Sequence, residues 1–395
     1  MKSMVLRNSL LSGLALVGLT AFILACSSFS PDDTKIATPA FDAQSGDCGV
    51  AVFDRKTGKT THVFTCSAIS EPTQPSYGAA LLRTAWIDNG RLLAVWTGEE
   101  SGDKEGLNIA SVPIGQGQAT RLFRLHDVNR KGEGPVGALP LAGSRLLLVV
   151  DSNLVARLDL DTARLETRLC RGENVALFPA GSSRFVFYAA GKPGPEKAVE
   201  LGTLDAGTFA QTPLLEAREG DFDAAENLAF GGDGRQVVWM QKKAGAYALK
   251  RLRPGQPTSE VCIVADVRDL EVGNLCFARN GEVVYAAFSG YVGTDTNLCL
   301  GFLEIPLDGK PAQPTVMVRG AKPGGDKLTP YFEIALSHDG KTLAVSTTYL
   351  CADLERPLIA PSDCALFLVD LSRTPHPITK APLPGPQAAK PLKNH

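Results

Sequence analysis

Two acidic groups are the side chains most able to do chemistry here: Asp221, Asp223 and Glu226 in one stretch, and Asp266, Asp269 and Glu271 in another. Carboxylates gathered this closely can hold a hard cation, and Ca2+ is the ion they would suit. Their spacing matches no calcium-loop signature, so solvated loop acids are the plainer reading and no metal or cofactor is expected. Tyr291, Tyr331 and Tyr349, with Asp295 and Arg356, fall in or beside the same kind of loop. They could stack on and hydrogen-bond to a sugar or peptide, or they could pack between neighbouring elements. No Gly-x-Ser-x-Gly elbow and no His-Glu-x-x-His zinc motif occurs, and His62, His126, His338, His376 and His395 lack metal-ligand spacing. A catalytic set is therefore not expected from linear motifs.

Cysteine supplies the other chemistry. The chain opens with basic Lys2 and Arg7, continues with an apolar run from Leu10 to Ala25, and reaches Cys26 directly after a small residue. That order describes a cleaved export signal and not a membrane-spanning helix. Of nine cysteines, Cys26 set aside leaves eight, an even number in an oxidising compartment. Cys48 and Cys66 flank one hairpin and fall opposite each other across its strands, where Cα separations suit a bridge. Cys351 and Cys364 bracket a proline-containing loop whose ends a bridge would tie. Cys170, Cys262, Cys276 and Cys299 have no evident partners.

The leader resembles the lipobox of bacterial lipoproteins, Ile23-Leu24-Ala25-Cys26. The resemblance implies cleavage before Cys26, acylation of its thiol, and anchorage in a lipid bilayer of the cell envelope. Ser27 follows the cysteine, and in diderm bacteria a lipoprotein without aspartate there is expected at the outer membrane. Loss of Lys2 and Arg7 lowers 40 basic residues to 38 against 42 acidic ones, a net charge near −4. A nucleic-acid partner is not expected at that balance.

The elements that must position these residues read as short strands. The 39 glycines and 26 prolines, with few helix-length amphipathic stretches, favour strands joined by turns. One unit recurs: apolar strand, Gly-containing turn, strongly apolar strand, longer loop, then a second hairpin. TAWIDNGRLLAVW, NLAFGGDGRQVVWM, LCFARNGEVVYAAF and IALSHDGKTLAVST, from Thr84, Asn227, Leu275 and Ile334, are the clearest openings, with weaker copies from Ala138 and Val175. Asn89-Gly90, Asp233-Gly234, Asn280-Gly281 and Asp339-Gly340 supply the positive φ of a two-residue hairpin turn. Six such units, roughly 40 to 60 residues apart, are the signature of an all-β propeller with four-stranded antiparallel blades.

These hairpins resemble the TolB-like and WD-repeat-like propellers, whose blades carry a Ser-Pro-Asp-Gly turn and later an apolar strand ending in Asp-Leu. Ser337-His338-Asp339-Gly340 with 366–371 is the nearest copy. The hairpin from Gly49 to Cys66 reads as the outer half of a further blade, so seven blades are expected, with six as the alternative. The expected organisation is a signal peptide over 1–25, a flexible tether over 26–47, a propeller over 48–383 and a disordered tail over 384–395. A ring of blades must be closed, often by joining strands from both chain ends, because an open edge leaves backbone groups unpaired.

Alternating strand direction puts the first-to-second and third-to-fourth turns on one face. The loops 98–106, 126–137, 191–197, 216–226, 289–297, 320–329 and 350–363 then gather on the other. Recognition is expected there. The function expected is a non-enzymatic binding or scaffolding module for an envelope protein, peptide or glycan. The alternative is a propeller enzyme, lactonase- or glycosidase-like, with acids converging at the axis.

Overall fold

The computed structural model describes residues 27–42, 47–65, 81–100, 104–115, 121–125, 138–141, 145–151, 153–178, 180, 184–192, 198–218, 225–232, 234–243, 246–264, 266–321, 328–351 and 365–382. They form seven four-stranded antiparallel sheets, each a simple meander, arranged as a seven-bladed β-propeller. Blade 1 holds β1 (Ser28–Phe29), β2 (Lys35–Asp42), β3 (Asp47–Asp54) and β4 (Lys59–Thr65). Blade 2 holds β5 (Leu81–Asp88), β6 (Arg91–Glu100), β7 (Lys104–Pro113) and β8 (Arg121–Leu125). Blade 3 holds β9 (Ala138–Leu141), β10 (Arg145–Asp151), β11 (Leu154–Asp159) and β12 (Arg164–Leu169). Blade 4 holds β13 (Glu173–Phe178), β14 (Phe185–Gly191), β15 (Ala198–Asp205) and β16 (Gln211–Arg218). Blade 5 holds β17 (Ala225–Phe230), β18 (Val237–Lys243), β19 (Ala246–Leu252) and β20 (Ser259–Val264). Blade 6 holds β21 (Val267–Phe277), β22 (Val283–Val292), β23 (Leu298–Pro306) and β24 (Gln313–Ala321). Blade 7 holds β25 (Leu328–Leu336), β26 (Thr342–Cys351), β27 (Ala365–Asp370) and β28 (Ile378–Ala381).

The second and third strands of each blade are apolar on both faces because both faces meet another blade. Met240 and Val238 on β18 pack toward blade 6, while Trp239 and Val237 on the same strand pack toward blade 4. The core is thus a series of layers between blades, not one central cluster. The axis is ringed by the first strands, so the middle strands are the most buried and read as continuous apolar runs.

One sequence expectation needs correction here. The segment expected to be a tether carries β1 and β2, the inner half of blade 1. Ser27, Ser30 and Ile36 are buried, and Ile36 joins Phe29 and Phe53 against Ala344, Leu366 and Ala381 of blade 7. The run Ser30-Pro31-Asp32-Asp33-Thr34-Lys35-Ile36-Ala37 repeats the blade 7 turn Ser337-His338-Asp339-Gly340-Lys341-Thr342-Leu343-Ala344 bond for bond. Ser30 Oγ donates to Asp32 Oδ1 at 2.7 Å and Ser337 Oγ to Asp339 Oδ1 at 2.6 Å. The Lys35 and Thr342 amides each reach the respective serine Oγ at 2.9 Å. Asp33 stands in the glycine slot with φ +55°, and Gly340 has φ +73°. Polar composition concealed a strand pair because its turn lacks glycine.

Among the described residues no blade mixes strands from the two chain ends; blade 1 is built of N-terminal strands and blade 7 of C-terminal ones. The ring closes by packing and by side chains. Asp33 accepts the amides of His338 and Asp339 at 2.9 and 3.0 Å and lies 2.8 Å from His338 Nδ1. Arg55 donates to Asp33 O at 2.7 Å and to Thr342 Oγ1 at 2.8 Å, spanning the same seam.

Each candidate bridge has one cysteine outside the described residues. Cys48 lies on β3, one residue before the Gly49↔Thr65 pair, and Cys66 lies outside the described residues. Cys351 ends β26, paired with Leu328, and Cys364 lies outside as well. Cys170, Cys262, Cys276 and Cys299 are free thiols. Cys26, the leader 1–25 and the tail 384–395 also lie outside the described residues.

Candidate functional site

The two faces use their polar groups differently. On the short-turn face, many of the described turns are tied within themselves and several are tied to the next blade. Asp54, Asp159, Asp205 and Asp370 close the third strands of four blades, and each Oδ1 accepts amides from the turn that follows. Blade 1 meets blade 2 through Asp32 N to Asn89 Oδ1 at 3.2 Å. Blade 3 meets blade 4 through Arg157, which donates to Ala206 O and Gly207 O at 2.9 and 2.7 Å. Blade 5 meets blade 6 through Gln236 to Gly281 O at 3.2 Å and Arg251 to Leu307 O at 3.1 Å. His376 Nε2 lies 3.2 Å from Glu304 Oε2, joining blades 7 and 6. These carboxylates are occupied by the fold. The Arg184 guanidinium and the amides of Thr208 and Gly207 hold the Asp205 carboxyl down to about 2. The Ser30 hydroxyl, followed by Thr34, does the same for Asp32, again to about 2.

The long-loop end of blade 6 is built otherwise. On β21, Arg268 pairs with Tyr291 and Glu271 with Ser289, so Asp269 and Leu270 together face the single Gly290 of β22. This bulge puts Asp269 at φ +46°, an uncommon backbone state for a residue with a side chain. A Cβ at Gly290 would sit 2.5 Å from Val267 Cγ1 and 2.9 Å from Arg268 O, so the bulge requires glycine there. The result is an exposed Asp269 on the innermost strand, beside the axis, with Arg268 and Asp266 exposed next to it.

The adjoining loop is knitted by Asp295. Its Oδ1 accepts the amide of Asn297 at 3.0 Å, its Oδ2 is paired with Arg319, and the buried Cys299 thiol points at Oδ2 from 3.7 Å. The Asn297 amide and the Arg319 charge hold the Asp295 carboxyl below the usual carboxylate range. Burial raises the Cys299 thiol above its ordinary value. Arg268 donates to Asp295 O at 2.8 Å, which sets its guanidinium 5.7 Å from the Tyr291 ring centroid. Gly293 N to Asp266 O at 2.9 Å fastens the loop to the entry of β21.

Asp266, Asp269, Tyr291 and Asp295 are therefore brought together at one place. Asp295 supports the loop, whereas Asp266, Asp269 and Arg268 face solvent beside the half-buried Tyr291, a set of groups that can make polar contacts. Glu226 lies on β17, Tyr331 on β25 and Tyr349 on β26, where Pro330 pairs with Tyr349. Asp221, Asp223 and Arg356 lie outside the described residues. Among the described residues no three His, Cys, Asp or Glu side chains gather as a metal site. Arg268, Gly290 and Arg319 belong to no motif and are not singled out by residue type. The sole linear signal was an interrupted alternation in Val267-Arg268-Asp269-Leu270-Glu271-Val272, which is what a bulge writes into a strand.

No protein-family profile matches the chain, and no curated protein matches it in sequence. Its likenesses are to solved structures. KlAtg21, solved in complex with the coiled-coil of AgAtg16, is 11% identical with a TM-score of 0.52, over 90% of this chain and 95% of that one. A post-proline cleaving enzyme from Rickettsia typhi is 9% identical with a TM-score of 0.51, over 100% of this chain and 57% of that one. TolB from Acinetobacter baumannii is 12% identical with a TM-score of 0.40, over 73% of this chain and 65% of that one. For the first two the likeness is one of fold, the propeller that the turn signature implied, and that fold serves binding proteins and enzymes alike.

Proposed function

We propose that this chain is an exported lipoprotein, anchored in a bilayer of the bacterial envelope through acylated Cys26, whose propeller is a non-enzymatic binding or scaffolding module. Its long-loop face contacts an envelope protein, peptide or glycan. The observation that supports this reading most is the division of labour between the faces. Many described polar groups of the short turns are engaged within their own turn or with the next blade, while the long-loop end of blade 6 keeps a glycine-dependent bulge that exposes Asp269 beside an Arg268–Tyr291 pair. A backbone irregularity held by the fold and exposed at a surface is a feature of recognition sites more than of scaffolding.

The test is comparative capture. The intact lipoprotein, with a photo-crosslinker placed at Thr294, is irradiated in its own envelope beside a variant carrying the crosslinker at Thr57 on the opposite face. A defined adduct at Thr294 that Arg268→Ala removes supports the reading. Adducts confined to Thr57, or an adduct at Thr294 that is indifferent to Arg268→Ala and Tyr291→Ala, would overturn it.

A further inference from the structure

Ser27 is buried, and its Oγ donates to Thr38 Oγ1 at 3.0 Å. It precedes β1, the innermost strand of blade 1, whose residues Ser28 and Phe29 pair with Ala37 and Ile36. The Trp86 indole of blade 2 donates to Ser28 O at 2.9 Å, and Phe29 packs against blade 7, so this short strand is held from both sides. Strand direction then fixes where the chain comes from. β1 runs toward the turn at 30–34 on the short-turn face, so the chain enters it from the long-loop side.

Depth follows from register. Ser27 lies beside Thr38, and β2 continues from there to Asp42 before reaching the long-loop rim. At strand rise those four residues span about 13 Å. An acyl anchor on residue 26 is one peptide bond from Ser27, and one residue reaches at most about 3.6 Å. The anchor therefore has no flexible lead with which to stand off from the ring.

We infer that the propeller sits with its long-loop face against the phospholipid bilayer, its acyl chains leaving by the long-loop mouth of the ring, and its short-turn face toward the aqueous compartment. This rests on the reading of Cys26 as acylated. It deepens that reading, since whatever the long-loop face binds is then met at the membrane surface.

The experiment uses the full lipoprotein with its native anchor, reconstituted in phosphatidylcholine vesicles containing a headgroup nitroxide lipid. A fluorophore is attached through Thr294→Cys on the long-loop face or Thr57→Cys on the short-turn face, both exposed positions, with unsubstituted protein as the labelling blank. Quenching several-fold stronger at Thr294 than at Thr57 is expected; equal or reversed quenching overturns the orientation. A flexible insert of about 20 Gly and Ser residues between Cys26 and Ser27, reaching about 25 Å, should keep the protein on vesicles and abolish the difference. A difference that survives the insert also overturns the inference, because the short lead would not be its cause. Cys26→Ser separates the two claims. If it floats with vesicles as the parent does, the anchor reading fails; if only the parent floats and quenching shows no bias, the orientation alone fails.

Discussion

The short-turn face and the long-loop face are made from the same strands, yet they solve opposite problems. On the first, carboxylates and guanidiniums end in neighbouring turns, as Arg157 does on Ala206 and Gly207 and Asp33 on His338 and Asp339. On the second, at blade 6, the ladder is broken by a bulge and side chains are left at the rim. A ring of layered blades has no single core; apolar layers between blades hold it, and on one face polar ties between turns add to them, at the seam as elsewhere. The opposite face is then released from that duty, and it is the place where insertions cost little.

The sharpest test of this contrast is at Gly340, whose φ is +73° and whose added Cβ would lie 2.9 Å from Arg279 Cβ of blade 6. Gly340→Val should lower stability by about 2–4 kcal/mol, combining left-handed backbone strain with a blade 6–7 clash. Gly58 has a similar φ of +67° but nothing within 4 Å, so Gly58→Val should cost only the strain, about 1–2 kcal/mol. Thermal unfolding followed by circular dichroism gives the difference. Equal losses would mean that the turn on blade 7 does not tie blades together.

Next in size is the seam. Asp33→Ala removes three contacts to the blade 7 turn, with an expected loss of about 2–3 kcal/mol. Asp33→Gly removes the same contacts but supplies the residue best suited to φ +55°, so it should recover about 1 kcal/mol of that loss. Hydrogen exchange should show the faster opening concentrated in β1, β2 and β28. Uniform acceleration across all blades would show that the seam is not the weak point of the ring.

Acid offers a smaller, collective test. Asp205 and Asp32 are held at about 2, and Asp54, Asp88, Asp159, Asp339 and Asp370 are also depressed, all on the short-turn face. A carboxyl depressed in the folded state contributes stability above its unfolded value, near 3.9, and loses that contribution as pH falls toward its folded value. Unfolding temperature should therefore fall between about pH 4 and pH 2, with exchange rising first in the third-to-fourth strand turns. Asp205→Asn should flatten part of that slope; an unchanged slope would discount the Arg184 and turn-amide bonds.

What could be read in the sequence follows from the same chemistry. Hairpins with Asn-Gly or Asp-Gly turns, such as Asn280-Gly281 between β21 and β22, declared both their strands and their register. Blade 1 was half hidden because Asp33 takes the glycine position and its side chain serves another blade, so serine, proline and aspartate read as tether. The site was legible only as residue types. Asp266, Asp269 and Tyr291 were visible, but their meeting depends on Gly290 admitting a bulge, and on Asp295 holding Arg268 by a backbone oxygen that no sequence pattern encodes. Likewise, closure by side-chain ties could not be told from closure by shared strands, since either leaves apolar strands at both chain ends.

The smallest expected effect on stability is the one that bears most on function. Arg268 donates to Asp295 O and lies over Tyr291, but both side chains are at the rim, and Asp295 retains Asn297 and Arg319. Arg268→Ala and Tyr291→Ala should each change stability by less than about 1 kcal/mol, in the range of exposed pairs. Gly290→Ala should do more locally, because its Cβ meets Val267 Cγ1 at 2.5 Å and must shift the bulge that presents Asp269. If the long-loop face is the recognition surface, all three variants lose the envelope partner while remaining folded at working temperature. Asp33→Ala should behave in the reverse way, weakening the ring but keeping the partner in the cold, where it stays folded. Quantitative capture at a temperature well below every Tm decides between them. Loss of the partner from Asp33→Ala with retention by Gly290→Ala would place recognition on the short-turn face and reverse the assignment of the two sides.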